Sequence, residues 1–335
     1  MTMVKRVRSQ AIQVMTDESL SPDEGGFANV FKPIGLRSTQ VVGRVRRATG
    51  FRRVGHCGTL DPLAWGVLPI ALGRATRLSR YVLDMRKTYE AVVIFGVETD
   101  SNDLEGKPIG LLQASPSIEA VHDLLPEFVG TIEQRPPDFS AVRVDGVRAY
   151  REARAGRRPK LRSKRVDVFA LDLVAAGRVA VSVIDGRLRF MEGRGTIDAL
   201  VVGLRIECSS GTYVRALARD LGDVLGCGAA VFGLIRTSVG PFGLAAATEI
   251  WQLSLAAHEG FLKALLYEPD IAVEHLPTVI LSDRACFDFS YGRSIARTGE
   301  SVGIHRLYNG NGCFVGMATG ASDRWIPELV WCPKG

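Results

Sequence analysis

The stretch Gly55-His56-Cys57-Gly58-Thr59-Leu60-Asp61-Pro62-Leu63-Ala64-Trp65-Gly66 sets one carboxylate among turn-formers and small residues. Gly55, Gly58 and Gly66 permit backbone angles that other residues avoid. Pro62 removes a donor and turns Asp61 away from the helical region. This predicts a rigid loop that holds one acid in a fixed direction, and such loops on a firm scaffold carry chemistry. A carboxylate held this way can do covalent or electrostatic work. An isolated Asp-Pro pair is also an ordinary turn, its carboxylate bonding its own backbone. His56, just upstream, has the side chain of a general base.

Other residues that could act with Asp61 lie far along the chain. Arg215 sits near the start of a predicted helix, where repulsion from the helix N-terminus favours an acidic neighbour. A guanidinium there would keep Asp61 ionised and grip it bidentately. Tyr89 lies in a strand-like segment; by spacing alone it packs a core, and by chemistry its ring can stack on a nucleobase. Tyr213 precedes the Arg215 helix, either as a packing residue or as a donor, and Leu234 reads as a core leucine. Six cysteines with no C-x-x-C pair and five dispersed histidines argue against zinc. Residues 99–106 form a polar loop without calcium-loop spacing.

The elements that must position these residues are legible. Phe27 to Pro33 reads as a strand. Ser38 is a candidate N-cap for a helix whose apolar face is Val41, Val42, Val45 and Ala48, closed by Gly50. Val67 to Leu72 is apolar, Ala75 to Leu83 reads as helix, and Thr88 to Val97 as strand. Ile118 to Phe128 reads as helix and Val166 to Val174 as strand, followed by a hairpin around Asp185-Gly186. Leu200, Val202, Leu204, Ile206 and Cys208 alternate with Val201, Gly203, Arg205 and Glu207, a half-buried strand. Val214, Leu217, Ala218, Leu221, Val224 and Leu225 form one helical face. Beyond Thr248 a helical connector leads to short strands, Thr278 to Leu281, Val302 to Leu307 and Cys313 to Ala318.

A chain of 335 residues, 46% hydrophobic and 23% charged, has room for two domains and an ordinary globular core. No apolar run approaches the ~20 residues of a membrane span. Residues 1–26 lack a secretory signal and read as a disordered lead-in. Free thiols in a reducing cytoplasm are the expectation. The net charge of +6 is unevenly spread. Arg143 to Arg165 holds ten Lys or Arg, among them Arg143, Arg157, Arg158 and Lys160, against two acids. A second cluster includes Arg44, Arg47 and Arg53 and leads into the Asp61 loop. Each alone is consistent with a solvated face; together they point to a polyphosphate partner.

Residues 55–66 resemble the catalytic loop of TruB-type pseudouridine synthases, G-H-x-G-T-L-D-P-x-x-x-G, at every fixed position. Lys87-Thr88-Tyr89-Glu90-Ala91, Cys208-Ser-Ser-Gly-Thr-Tyr213-Val-Arg215, Leu234-Ile-Arg236 and Lys32-Pro33-x-Gly35 are similar to further motifs of that family, in the same order. The resemblance implies an α+β fold: a pseudouridine synthase fold with a mixed, mostly antiparallel sheet and flanking helices. It implies a catalytic domain over 27–247, and a connector with a small β-rich, PUA-like RNA-binding module over 248–335. It implies a cofactor-free, metal-free isomerase acting on uridine 55 in the T-arm of tRNA. Asp61 would be the catalytic carboxylate and Arg215 its partner. Tyr89 would stack on the target base, Tyr213 lie beside it and Leu234 wall it. His56 would fill the stack vacated by the extruded base rather than move protons. The C-terminal module would grip the acceptor stem, and the protein would act as a cytoplasmic monomer. Two other readings remain open: an RNA-binding tRNA-folding chaperone, and a guide-RNA-dependent synthase like dyskerin. Trp65 stands where the family usually has Thr or Ser, Phe31 where it has an acid, Phe139 where Tyr is usual, and roughly fifteen extra residues precede the Cys208 strand.

Overall fold

The computed structural model describes residues 25–111, 115–140, 142–144, 146–191, 196–297 and 302–331. Most of the N-terminal lead-in, Asp145 and Cys332 therefore lie outside the described residues. The chain runs β1 (Phe27–Lys32), α1 (Ser38–Thr49), β2 (Val54–His56), β3 (Trp65–Leu72), a 3-10 turn (Gly73–Leu78), α2 (Ser79–Asp84) and β4 (Lys87–Phe95). It continues through β5 (Val97–Thr99), β6 (Pro108–Leu111), α3 (Ile118–Leu124), β7 (Gly130–Gln134), β8 (Arg143–Val144), β9 (Val147–Arg148), α4 (Ala149–Arg154), β10 (Lys164–Ile184) and β11 (Arg187–Arg189). Then come β12 (Ile197–Cys208), α5 (Val214–Val224), β13 (Ala229–Val239), β14 (Phe242–Gly243), α6 (Ile250–His258) and β15 (Leu266–Tyr267). The last part holds β16 (Thr278–Ile280), α7 (Asp283–Ser290), β17 (Ile295–Ala296), β18 (Gly303–Tyr308), β19 (Phe314–Ala321) and β20 (Arg324–Val330).

One large sheet carries the site, in the order β11-β10-β12-β4-β13-β3-β1-β15. Its pairings are antiparallel except for β13 with β3, where Ile235 lies opposite Trp65 and Arg236 opposite Gly66. The alternation expected of β12 is present, with Leu200, Val202, Leu204, Ile206 and Cys208 buried. The same sheet face buries Tyr89, Val93, Val231 and Leu234 beneath α1, α5 and the Asp61 loop. Burying this many aliphatic side chains, at ~1.5–3 kcal/mol each, is what holds the loop's base in place. A second, five-stranded sheet, β16-β18-β19-β20-β17, encloses Phe289, Leu307, Val315 and Trp325. Its Met317 and Leu329 share a core with Phe27, Val67 and Phe242 of the large sheet.

Several expectations are corrected. Ser38 does not cap α1. Arg37 is the N-cap residue, and the Ser38 hydroxyl is spent on the Asp61 loop. The strand expected over Val166 to Val174 is part of one strand of 21 residues, because its ladder to β12 absorbs two register shifts and continues through Ala175 to Gly177. Asp185 and Gly186 both take positive φ (51 and 69), the geometry of a two-residue hairpin turn. Val224 is exposed at the end of α5, outside the buried face expected for it. α7 and β20 stand outside the elements expected from the sequence.

Candidate active site

The Asp61 loop spans the gap between β2 and β3, and its backbone is tied down from three directions. Lys32, at the end of β1, is fully buried; its Nζ donates to the carbonyls of Pro33 (2.9 Å), Pro62 (3.3 Å) and Ala64 (2.5 Å). The Ser38 hydroxyl donates to Leu60 O and accepts from Leu60 N, both at 2.9 Å. Arg236, buried on β13, donates from Nε to Val67 O (2.8 Å), from Nη1 to Thr59 O (3.3 Å) and from Nη2 to Gly58 O (3.3 Å). Gly66 lets Arg236 come this close: it has φ +103, and a Cβ there would meet Arg236 O at 2.3 Å. Buried carbonyls need donors, and here two cations and a hydroxyl supply them. The loop therefore has little freedom, while Asp61 at its tip keeps about a third of its side chain exposed (33%).

Arg215 is the hub behind Asp61. It is almost fully buried in the first turn of α5, and its Nε donates to Asp61 Oδ2 at 2.8 Å. The bidentate grip expected from the sequence is not formed. The remaining nitrogens go to Ser101 O (2.9 Å), to Phe139 O (3.0 Å) and toward Asp103 Oδ2 (3.3 Å). A guanidinium has five donors in a fixed fork, so this shared arrangement satisfies it while leaving Asp61 free on one edge. Asp103 itself accepts from Ser101 Oγ at 2.6 Å and from Glu105 N at 3.0 Å. Burial pushes its carboxyl above the usual range, opposed by Arg215. Asp103 lies in the polar 99–106 loop, where nothing in the sequence pattern marks it. Among the described residues no group of His, Cys, Asp and Glu is arranged to hold a metal.

Tyr89 and Leu234 come together on adjacent strands: Leu234 pairs with Ala91, two residues from Tyr89 and on the same face. Burial raises the Tyr89 phenol above its ordinary pKa, so the side chain stays neutral. Burial, and then the charge of Asp61, raise the Tyr213 phenol as well. Lys164 lies over the Tyr213 ring at 5.2 Å. His56 ends β2, its Nδ1 buried without a partner; burial, then Arg236, lowers its pKa, favouring the neutral imidazole. Cys57 and Cys208 are buried thiols pushed up to about 11 by burial, which makes them inert packing residues.

The basic residues separate into two exposed regions. Arg44 and Arg47 project from α1, and Arg53 stands just before β2. Arg143, Arg157, Arg158 and Lys160 are exposed around α4, with Arg157 paired to Glu152 at 2.5 and 2.9 Å. Arg157 and Arg158 also line a cleft of about 460 Å³ with Arg135, Arg219 and Phe139; Phe139 supplies the carbonyl that Arg215 uses. Two departures from the family pattern meet each other: Trp65 packs edge-on against Phe31, ring centroids 6.1 Å apart, and remains 43% exposed.

Solved structures share this fold. A Cbf5-Nop10-Gar1 complex matches with a TM-score of 0.66 at 23% identity, over 96% of this chain and 88% of that one. An H/ACA RNP bound to a substrate RNA containing 2′-deoxyuridine matches with 0.66 at 22%, over 95% and 93%. At these identities the likeness shows the pseudouridine synthase fold. The sequence comparisons are finer. Residues 46–214 match the TruB family pseudouridylate synthase N-terminal domain, and residues 215–274 the tRNA pseudouridylate synthase B C-terminal domain. The tRNA pseudouridine synthase B of Thiobacillus denitrificans is 36% identical over 89% of this chain and 93% of its own length. That of Trichormus variabilis is 38% identical over 92% and 99%. The chain belongs to the TruB family of pseudouridylate synthases.

Proposed function

We propose that this protein isomerises uridine to pseudouridine at position 55 in the T-arm of tRNA, with Asp61 as the catalytic carboxylate. One observation carries the reading: a partly exposed carboxylate on a loop whose carbonyls are tied by Lys32, Ser38 and Arg236, paired with a buried Arg215. The reaction breaks the N1–C1′ bond and forms a C5–C1′ bond. The hydrogen at C5 leaves as a proton and N1 ends protonated, so no oxidant or cofactor is required. Asp61 adds to the base or assists its departure from the sugar, and then leaves again. Tyr89 gives the uracil a flat surface, worth about 1–3 kcal/mol. Leu234 walls the pocket, Tyr213 lies beside the nucleotide, and neutral His56 occupies the stack that the extruded base vacates. The exposed arginines around α1 and α4 take the phosphate backbone, and the C-terminal sheet takes the acceptor stem. The protein acts in the cytoplasm, as a monomer and without a guide RNA.

The test uses tRNA labelled with tritium at uridine C5 and the purified protein alone. Release of one label per tRNA, with pseudouridine mapped to position 55, is the expected result, and an isolated T-arm hairpin should also react. Absence of release from either RNA would favour a chaperone. Release only after adding a guide RNA would favour a dyskerin-like enzyme.

A further inference from the structure

Gln134 is a polar side chain with no exposure at all, at the end of β7 and far in sequence from the catalytic loop. Its carboxamide brackets a single residue. Oε1 accepts from Tyr213 N at 2.8 Å and Nε2 donates to Tyr213 O at 3.2 Å. Tyr213 is extended (φ −108, ψ 109), so its N–H and C=O point the same way, and a carboxamide can meet both as a neighbouring strand would. Only one orientation of the amide satisfies the two bonds, since the N–H needs an acceptor and the C=O a donor.

The bracketed residue is where α5 begins. Tyr213 is the N-cap position of α5, its side chain makes no cap, and its carbonyl accepts the first helical bond from Leu217 N at 3.0 Å. Helix starts leave backbone groups in need of partners, and Gln134 supplies one from outside the helix. Arg215 follows two residues later. The chain leaving Gln134 also returns to the same guanidinium, through Phe139 O at 3.0 Å from Arg215 Nη2. The β10 residue opposite Gln134 is Lys164, which lies over the Tyr213 ring. Backbone and ring of Tyr213 are thus both held from one strand pair.

We propose that Gln134 is a positioning residue for the reaction: by fixing the Tyr213 peptide it sets the direction in which α5 delivers Arg215 to Asp61 and Tyr213 to the base. This rests on the reading of Asp61 and Arg215 as the reacting site. Gln134 touches neither substrate nor Asp61, and its effect falls on turnover rather than on RNA affinity.

Gln134→Glu tests it with almost no change of shape. The ionised side chain still accepts from Tyr213 N but sets a second oxygen against Tyr213 O. The protonated acid has an O–H to donate and restores both bonds. Burial raises the pKa of such a carboxyl and the Lys164 ammonium, opposite on β10, lowers it, which brings the change into roughly pH 4–8. We expect the ratio of wild-type to Q134E kcat on tRNA to be near unity at the acid end and to widen to roughly tenfold at the alkaline end. Kd for tRNA should stay within about twofold throughout, because the basic surfaces are untouched. Gln134→Met, which offers neither bond, should lose about tenfold or more in kcat at every pH. A Q134E ratio that stays constant with pH, or a change confined to KM, overturns the proposal while the wild type remains active. An inactive wild type overturns the functional reading itself. If Q134M fails to fold, the Q134E profile decides alone.

Discussion

The Asp61 loop and the basic segment from Arg143 to Arg165 are built in opposite ways. In the loop, charged side chains are buried and spend themselves on backbone carbonyls: Lys32 on Pro33, Pro62 and Ala64, Arg236 on Gly58, Thr59 and Val67. In the basic segment, arginines face solvent, and the Arg157–Glu152 pair is local and exposed. Fixing a carboxylate needs a stiff frame, since a misplacement of an ångström can cost about a hundredfold in rate. Following a phosphate backbone needs charge that can shift, and such charge acts over a Debye length of about 8–10 Å without fixed geometry. The same residue type therefore holds a loop at Arg236 and offers a diffuse field at Arg158.

The largest effect should come from the stiff side. Arg236→Met leaves two loop carbonyls, Gly58 and Thr59, and that of Val67 in β3 without this donor, and we expect a loss of about 3–5 kcal/mol in stability by urea unfolding. Turnover at saturating tRNA should fall with it. A variant of normal stability and turnover would break the contrast between the two regions.

A second probe stays in the buried charges. Burial lowers Lys32 and Lys87 to about 8 from an ordinary 10.5, so above pH 8 the unfolded chain binds more protons than the native one. Stability should therefore rise with pH over the first unit above that value, by about 1 kcal/mol per lysine. Beyond pH 9 the gain flattens, because Cys57 and Cys208, raised from 9.0 to about 11, keep protons that the unfolded thiols have lost. Urea midpoints at successive pH values check this; a midpoint that falls on leaving pH 8 would contradict the assignment of burial as the cause.

The smallest effect belongs to the exposed side. Replacing Arg158 and Lys160 together by Ala should weaken tRNA binding several-fold and reduce the slope of log Kd against log salt by about 1–2. The single-turnover rate at saturating RNA should not move. A rate loss without a change in salt slope would place these residues in the catalytic frame and blur the distinction.

Much of this was legible in the sequence, and for a physical reason. The Asp61 loop announces itself because glycine and proline are forced by geometry, and Tyr89, Tyr213 and Arg215 sit in runs whose order resembles one family. β12 and α5 were readable because one buried face imposes a period. What stayed hidden is polar residues whose role is to hold other residues' backbones. Ser38 reads as a cap by local rules, yet a carbonyl and amide at Leu60, distant in sequence, claim its hydroxyl. Gln134 and Asp103 look like surface residues because nothing near them in sequence shows that they are buried. Arg236 offered one available signal: an arginine inside an apolar strand must find acceptors if it is buried. The bidentate Asp61–Arg215 pair expected from chemistry gave way to a shared fork, because Ser101 O, Phe139 O and Asp103 compete for the same donors.

The central claim is that a clamped Asp61 carries the chemistry while affinity resides elsewhere. Asp61→Asn keeps the size and one oxygen of the side chain and removes its charge. Under single turnover, with enzyme in excess over C5-tritiated tRNA, label release should fall by about a thousandfold or more, with tRNA Kd within about twofold of wild type. Release at the wild-type rate from the Asn variant would contradict the account.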